Sequence, residues 1–290
     1  MWIISLNLRF NNHCTSKGKN IKQMLNNYKK YAVQFKQTLL TYKEAALFIR
    51  KHKLWEGFWK YGWVSRVLIG LAIIMGLKFI NIFVNWIRHL NSEESRNVLV
   101  EMGTLIGNVA FESYNFLFVG GLKYIMILLL EVVIFHICRR TLEILTEKTT
   151  DLTFKTFLKA QVRMFKLVLA CYIFEMIFTV GIKIVFGIFG SLDFLQPIFI
   201  FAIQCYFLGF LVMDNYIEQF GFEIKESMKY GTQFMGVSLA IGLFLSIVLL
   251  IPLIGAIVGP MLAAVTLTLV MYRLSDLHLD LAKVDEDYEK

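Results

Sequence analysis

Residues Tyr230–Tyr272 read YGTQFMGVSLAIGLFLSIVLLIPLIGAIVGPMLAAVTLTLVMY, 43 residues without Asp, Glu, Lys or Arg. As one helix this stretch would rise about 65 Å, roughly twice the hydrocarbon thickness of a bilayer. It has to turn back on itself. Ile251–Pro260 (IPLIGAIVGP) supplies the corner: Pro252 and Pro260 each remove a backbone donor, while Gly255 and Gly259 relax the backbone restriction. The expectation is an apolar helical hairpin whose uncharged corner sits at or below the membrane interface, packed by protein.

The rest of the chain agrees with a bilayer as solvent. A hydrophobic content of 57% and 26 phenylalanines among 290 residues exceed what a soluble domain of this length buries, and mean hydropathy is +0.59. Outward from the hairpin, further spans are predicted over 64–85 (bracketed by Trp63 and Trp86), 116–138, 167–190 and 198–213, which makes about six hydrophobic helices in an all-α integral membrane fold. The stretch 98–109 is predicted as an amphipathic helix outside the spans, carrying Gly103 and Gly107. Three regions follow: a polar, basic segment over 1–34 that is a candidate for disorder, a multi-pass membrane domain over 35–274, and an acidic cytoplasmic tail over 275–290. The apolar start Trp2–Leu6 is too short for the core of a signal peptide, and Met24 is an alternative start to Met1.

Charge sets the orientation. Met1–Trp63 holds twelve Lys/Arg against Glu44 and Glu56, whereas Ser275–Lys290 holds six acids against Lys283 and Lys290. Successive segments between spans carry twelve, two, seven, none, two, none and three Lys/Arg, an alternation that places both termini in the cytoplasm. The basic end is matched to a lipid surface rather than nucleic acid, since no zinc finger, RNA-binding aromatic motif or basic zipper accompanies it. Over 35–60 the pattern is helical, with Leu40, Leu47, Leu54 and Phe58 on one stripe, Lys43, Arg50 and Lys53 to one side, and Trp55, Trp59 and Trp63 in a row. Such a helix either lies in the interface plane or packs as a cytoplasmic helix.

Charges within the spans are the candidate functional residues, because lipid makes them costly. Lys78 lies eight residues before Trp86, Lys123 eight after Asn115 and Lys183 eight before Ser191, which puts three ammonium groups at one outer depth. Glu131 lies eight before Arg139 and Glu175 nine after Lys166, sharing an inner depth. One reading is an anion pathway of Lys78, Lys123 and Lys183, with Glu131 and Glu175 as counter-charges or proton carriers. The other is structural, with the lysines snorkelling to headgroups and a Lys–Glu pair acting as glue between helices.

Enzymatic signatures are lacking: there is no Gly-x-Ser-x-Gly elbow, glycine-rich phosphate loop or His-Glu-x-x-His, and the five histidines are scattered. The four cysteines, Cys14, Cys138, Cys171 and Cys205, stand singly and read as small core residues. No catalytic residue, metal site or cofactor is therefore expected.

Gly209–Leu274 resembles the etoposide-induced-protein and CysZ-type sulfate permease family. The resemblance rests on Phe210–Tyr216 (FLVMDNY), Gly221–Met228 (GFEIKESM), Gly236–Leu250, Ile251–Gly255 and Pro260–Thr266 (PMLAAVT), with a weaker likeness over Phe35–Gly70. It implies long spanning helices combined with partly penetrating hairpins, a bacterial cytoplasmic membrane, a homo-oligomer and a small inorganic anion such as sulfate. Ala45-Ala46-Leu47 stands where members carry a Gly-Leu-Arg element whose arginine is implicated in anion binding, and Lys60-Tyr61-Gly62 where they carry a proline. The alternative function is a non-transporting membrane scaffold or biogenesis factor.

Overall fold

The computed structural model describes residues 2–56, 122–147, 154–188, 194–251 and 254–277, with isolated positions at 84, 103, 107, 111 and 115. These residues form seven α-helices and no strand: α1 (Trp2–His52), α2 (Leu122–Thr146), α3 (Phe154–Ile188), α4 (Gln196–Glu218), α5 (Ile224–Gln233), α6 (Met235–Leu249) and α7 (Ile254–Leu274). Apart from those isolated positions, the expected span over 64–85, the amphipathic stretch over 98–109, Lys78, Pro252 and most of the acidic tail lie outside the described residues.

Two helical segments among them are long and apolar enough to cross a membrane, Gln161–Ile188 within α3 and Gln196–Glu218, which is α4; a third is reached if the bent pair α5 and α6 counts as one span. At 1.5 Å per residue the first two extend about 42 and 35 Å, more than the hydrocarbon needs.

These two helices are built differently. From Gln204 to Ile217 only Tyr206 of α4 escapes burial, so this half is enclosed on every side, as befits a helix without a polar face. By contrast α3 buries one narrow stripe, Met164, Leu167, Val168, Cys171 and Glu175, at helical spacing. Beyond Glu175 it buries nothing, and Ile177, Val180, Ile184 and Ile188 are more than half exposed.

The hairpin forms, with narrower bounds than the charge-free stretch implies. Tyr230–Gln233 belongs to α5, which meets α6 at 90°, so the first arm begins at Met235. The corner is also shorter: α7 starts at Ile254 and runs through Pro260, which lies buried inside the helix. Gly255 rests against the Val248 carbonyl, and a Cβ on Gly259 would stand 3.1 Å from Val248 Cγ1 and 3.3 Å from Leu245 Cδ1. The missing side chains let the arms close. At Gly209 and Gly242 the backbones of α4 and α6 touch, Gly209 against the Ser238 carbonyl and Gly242 against that of Cys205.

α1 packs on α6 and α7 with Gln34, Thr38, Thr41, Tyr42, Ala45 and Ile49, a buried stripe that is polar at one end. Leu40 and Leu47, of the apolar stripe read from sequence, are exposed; Leu54 is buried and Phe58 lies outside the described residues. Helix extends through the polar segment before residue 34 from Trp2 onward. At the α5–α6 elbow, Gln34 Nε2 donates to the Gln233 carbonyl (3.2 Å) and Gln34 Oε1 accepts from the Gly236 amide (3.3 Å). A 90° bend releases backbone groups from their helical partners, and this one side chain takes up one of each kind.

Candidate functional site

The charge-bearing side chains of α2, α3 and α4 converge inside the bundle in two tiers. In the first, Lys123 at the start of α2 reaches Glu175 of α3: Nζ lies 2.7 Å from both carboxylate oxygens, and the Tyr124 hydroxyl donates to Oε2 at 2.5 Å. The lysine side chain is 1% exposed and that of the glutamate 11%. Tyr124 is itself positioned by an edge contact with Tyr172, ring centroids 5.5 Å apart. Three donated hydrogen bonds on one carboxylate are what an ion pair needs if it is to persist away from water.

The second tier lies eight residues along α2 and twelve back along α3, about 12 and 18 Å away by helical rise. Arg163 of α3 grips Asp214 of α4 with both arms of its guanidinium, Nη1 to Oδ2 at 2.6 Å and Nη2 to Oδ1 at 2.9 Å. Nη2 also donates to Ser227 Oγ of α5 at 2.8 Å. Glu218 Oε2 stands 3.1 Å from Nη1, an ion-pair contact lacking hydrogen-bond alignment, and Arg163 Nε makes no hydrogen bond. Next to Asp214 on the chain, Asn215 donates from Nδ2 to Glu131 Oε2 of α2 (3.0 Å) and to the Leu211 carbonyl (3.1 Å). Glu131 Oε1 and Asn215 Oδ1 have no hydrogen-bond partner, although both residues are fully buried.

Of the five charges singled out in the sequence, Lys123 and Glu175 meet, Glu131 is buried in the second tier, and Lys183 is exposed on α3. Lys78 falls outside the described residues. The expected cationic and anionic layers therefore do not separate: Lys123 and Glu175, assigned to different depths, share one. Counting inward from Lys166 misplaced the inner edge of α3, because Arg163, one turn earlier, is itself only 14% exposed and tied into the bundle. A buried ammonium also gains more from a carboxylate at 2.7 Å than from a distant headgroup.

Arg163, Asp214, Asn215 and Glu218 lie beyond the expected span limits, because a charge on an apolar run ordinarily marks the end of a span. Cutting the fourth span at Met213 placed Asp214 and Asn215 in a loop, although Tyr216 and Ile217 continue the apolar pattern past them and are fully buried. That continuation was the available signal.

Outside the spans, Glu44 of α1 forms a two-pronged ion pair with Arg273 at the end of α7, Nη1 to Oε2 at 2.9 Å and Nη2 to Oε1. The hydrogen-bonded guanidinium holds the Glu44 carboxyl below its ordinary range. Beside this pair a groove of about 280 Å³ is lined by Gln37, Leu40, Thr41, Val270 and Leu274.

Among the described residues, three or more His, Cys, Asp or Glu nowhere gather as a metal would require, and Cys138, Cys171 and Cys205 are buried free thiols. Two tiers of ionisable side chains, sealed between helices long enough to span a bilayer, define the candidate site on chemistry alone, since comparison with known protein families, curated proteins and solved structures gives no match.

Proposed function

We propose that this chain is a multi-pass permease or channel for a small inorganic anion such as sulfate, in a cytoplasmic membrane, with about six apolar helices, both termini in the cytoplasm and a homo-oligomeric assembly. The reading is carried by Lys123, an ammonium sealed inside helices that suit a bilayer, where a charged group costs far more than at a surface. Its carboxylate partner gives it a way to work. While Glu175 is ionised, both of its oxygens bond the ammonium and offset its charge, which disfavours an anion there. A proton on Glu175 would leave one positive charge for an incoming anion, so each anion would travel with one proton; a monovalent anion would then cross as a neutral pair and a dianion such as sulfate with one negative charge remaining. Exposed Lys183, farther along α3, would serve as an entry charge.

Radiolabelled sulfate uptake into proteoliposomes tests this. Lys123→Met should slow uptake with near-normal expression, and Glu175→Gln should leave uptake independent of pH. Wild-type flux in Lys123→Met/Lys183→Met would remove lysine-based anion transport.

A scaffold function is the second reading, favoured by the outer face of α1. Val33, Leu40 and Leu47 are exposed at seven-residue spacing, flanked by exposed Lys29, Lys36, Lys43 and Arg50 at the same spacing. An apolar ridge beside a basic one suits an anionic leaflet or an acidic partner. Absence of flux in wild-type protein, together with loss of membrane or partner recruitment on Lys36→Gln/Lys43→Gln, would establish it instead.

A further inference from the structure

Three buried oxygen atoms of the second tier accept no hydrogen bond; Glu218 Oε2 has the Arg163 guanidinium at 3.1 Å, and Glu131 Oε1 and Asn215 Oδ1 are the other two. Glu131 is fully buried, and its one carboxylate contact among the hydrogen bonds is the Asn215 amide on Oε2, leaving Oε1 bare; Asn215 directs both of its bonds through Nδ2, leaving Oδ1 bare. An isolated carboxylate taken out of water costs many kcal/mol unless a cation or several donors meet it. Here the cations of the described bundle are committed elsewhere. Lys123 is held by Glu175, Arg163 by Asp214 and Glu218, and Arg139 by Glu143, so with Glu131 three largely buried cations serve five carboxylates. The acceptor pair and the charge balance call for the same thing, a positive charge of small size.

We infer that Glu131 and Asn215 form a binding site for a small monovalent cation, a proton or an alkali ion, accepted by Glu131 Oε1 and Asn215 Oδ1. Asn215 Nδ2 fixes the carboxylate through Oε2 and presents the other oxygen. The ionisable groups around the pair are Asp214 and Glu218 of α4, Arg163 of α3 and Cys138 one heptad along α2; on α7, also packed against α2, Tyr272 and Arg273 sit at the far end beside Leu145 and Glu44. Cation binding at this pair does not depend on anion transport at Lys123, and its readouts need no flux.

The full chain in detergent or nanodiscs is titrated in two arms. In the first, sodium-free acid titration is followed by infrared difference spectroscopy for the carbonyl stretch of a protonated carboxyl, in wild type and Glu131→Gln. In the second, the thermal midpoint is followed as sodium chloride replaces choline chloride at constant pH. A carboxyl band lost in Glu131→Gln assigns the proton; a sodium-dependent rise in midpoint lost in Glu131→Gln assigns the alkali ion. Asn215→Ala, needed if Glu131→Gln does not fold, should displace the midpoint of whichever signal appears by about tenfold in concentration, the worth of one hydrogen bond to a charged group. Neither signal in wild type, a signal retained in Glu131→Gln, or an unmoved midpoint in Asn215→Ala overturns the site.

Discussion

The hairpin of α6 and α7 and the bundle of α2, α3 and α4 solve the same packing problem by opposite means. The hairpin carries no charge from Met235 to Tyr272 and closes because glycines leave room for close approach, backbone to backbone at Gly242 against α4 and at Gly255 between its arms, and against the Val248 and Leu245 side chains at Gly259. The α2–α3–α4 bundle places Lys123, Glu131, Arg163, Glu175 and Asp214 between its helices and is joined by charge-assisted hydrogen bonds. Lipid tails are as apolar as leucine, so oily surface alone gives helices little reason to associate in a membrane. Close approach and buried polar contact are the two remaining sources of cohesion, and this chain assigns one to each half. They also fail differently, since a glycine contact tolerates no added atom, whereas an ion pair tolerates loss of both members better than loss of one.

The largest effect should come from the charged half. Arg163→Met leaves Asp214 buried without its cation, and we expect a loss of about 3–5 kcal/mol, with part recovered in Arg163→Met/Asp214→Leu. Reversible unfolding in mixed micelles measures both; equal losses in the single and double variants would show that the pair is not the source of cohesion there.

Next come the glycine contacts. Gly242→Ala puts a methyl group into the Cys205 carbonyl and should cost about 1–3 kcal/mol, while Gly181→Ala on α3, where nothing stands within 4 Å, should be neutral or stabilising by up to about 1 kcal/mol. The contrast sharpens the comparison, because both glycines are helical and only one is a point of contact.

Those two predictions also mark what could be read from sequence. The hairpin was legible because nothing competes with its signal: a charge-free run too long for one crossing, with glycine and proline near its middle. Its limits were less so, since the end of α5, Tyr230–Gln233, is uncharged and so joins the run, and the elbow at Phe234 carries no proline. In the charged half the presence of buried charges was visible and their partners were not. Lys123 and Glu175 are 52 positions apart, and Arg163 and Asp214 are 51 apart, so pairing depends on how far each helix slides along its neighbour. One turn of error in a helix edge moves a side chain by about 5 Å, enough to exchange one partner for another.

A smaller effect is expected at the elbow. Gln34→Leu leaves the Gln233 carbonyl and the Gly236 amide without their side-chain partner, and we expect a loss of about 1–3 kcal/mol together with faster amide exchange at Gly236. Unchanged exchange there would show that the bend is held by packing alone.

The smallest belongs to Glu44 and Arg273, whose side chains are about half exposed, 48% and 51%. Such a pair contributes at most about 1 kcal/mol and is screened by salt. Because the carboxyl is held below its ordinary range, the contribution is complete above that range and is lost as pH falls through the lowered value. An acid titration of stability in which Glu44→Gln flattens a small low-pH step, more at low salt than at high, checks the sign.

Gln34 and Gln233 are separated by 199 positions, so the side chain that completes the elbow leaves the ribosome long before the backbone it serves. At synthesis rates of about 5–20 residues per second, that interval is on the order of 10–40 s. During it the inner face of α1, with Gln34, Thr38 and Thr41, has neither α6 nor α7 to cover it. The N-terminal helix is in this sense a clasp made first and fastened last. A chain stalled or cut before Met235 leaves that clasp open, presenting hydroxyls and an amide that the finished fold conceals.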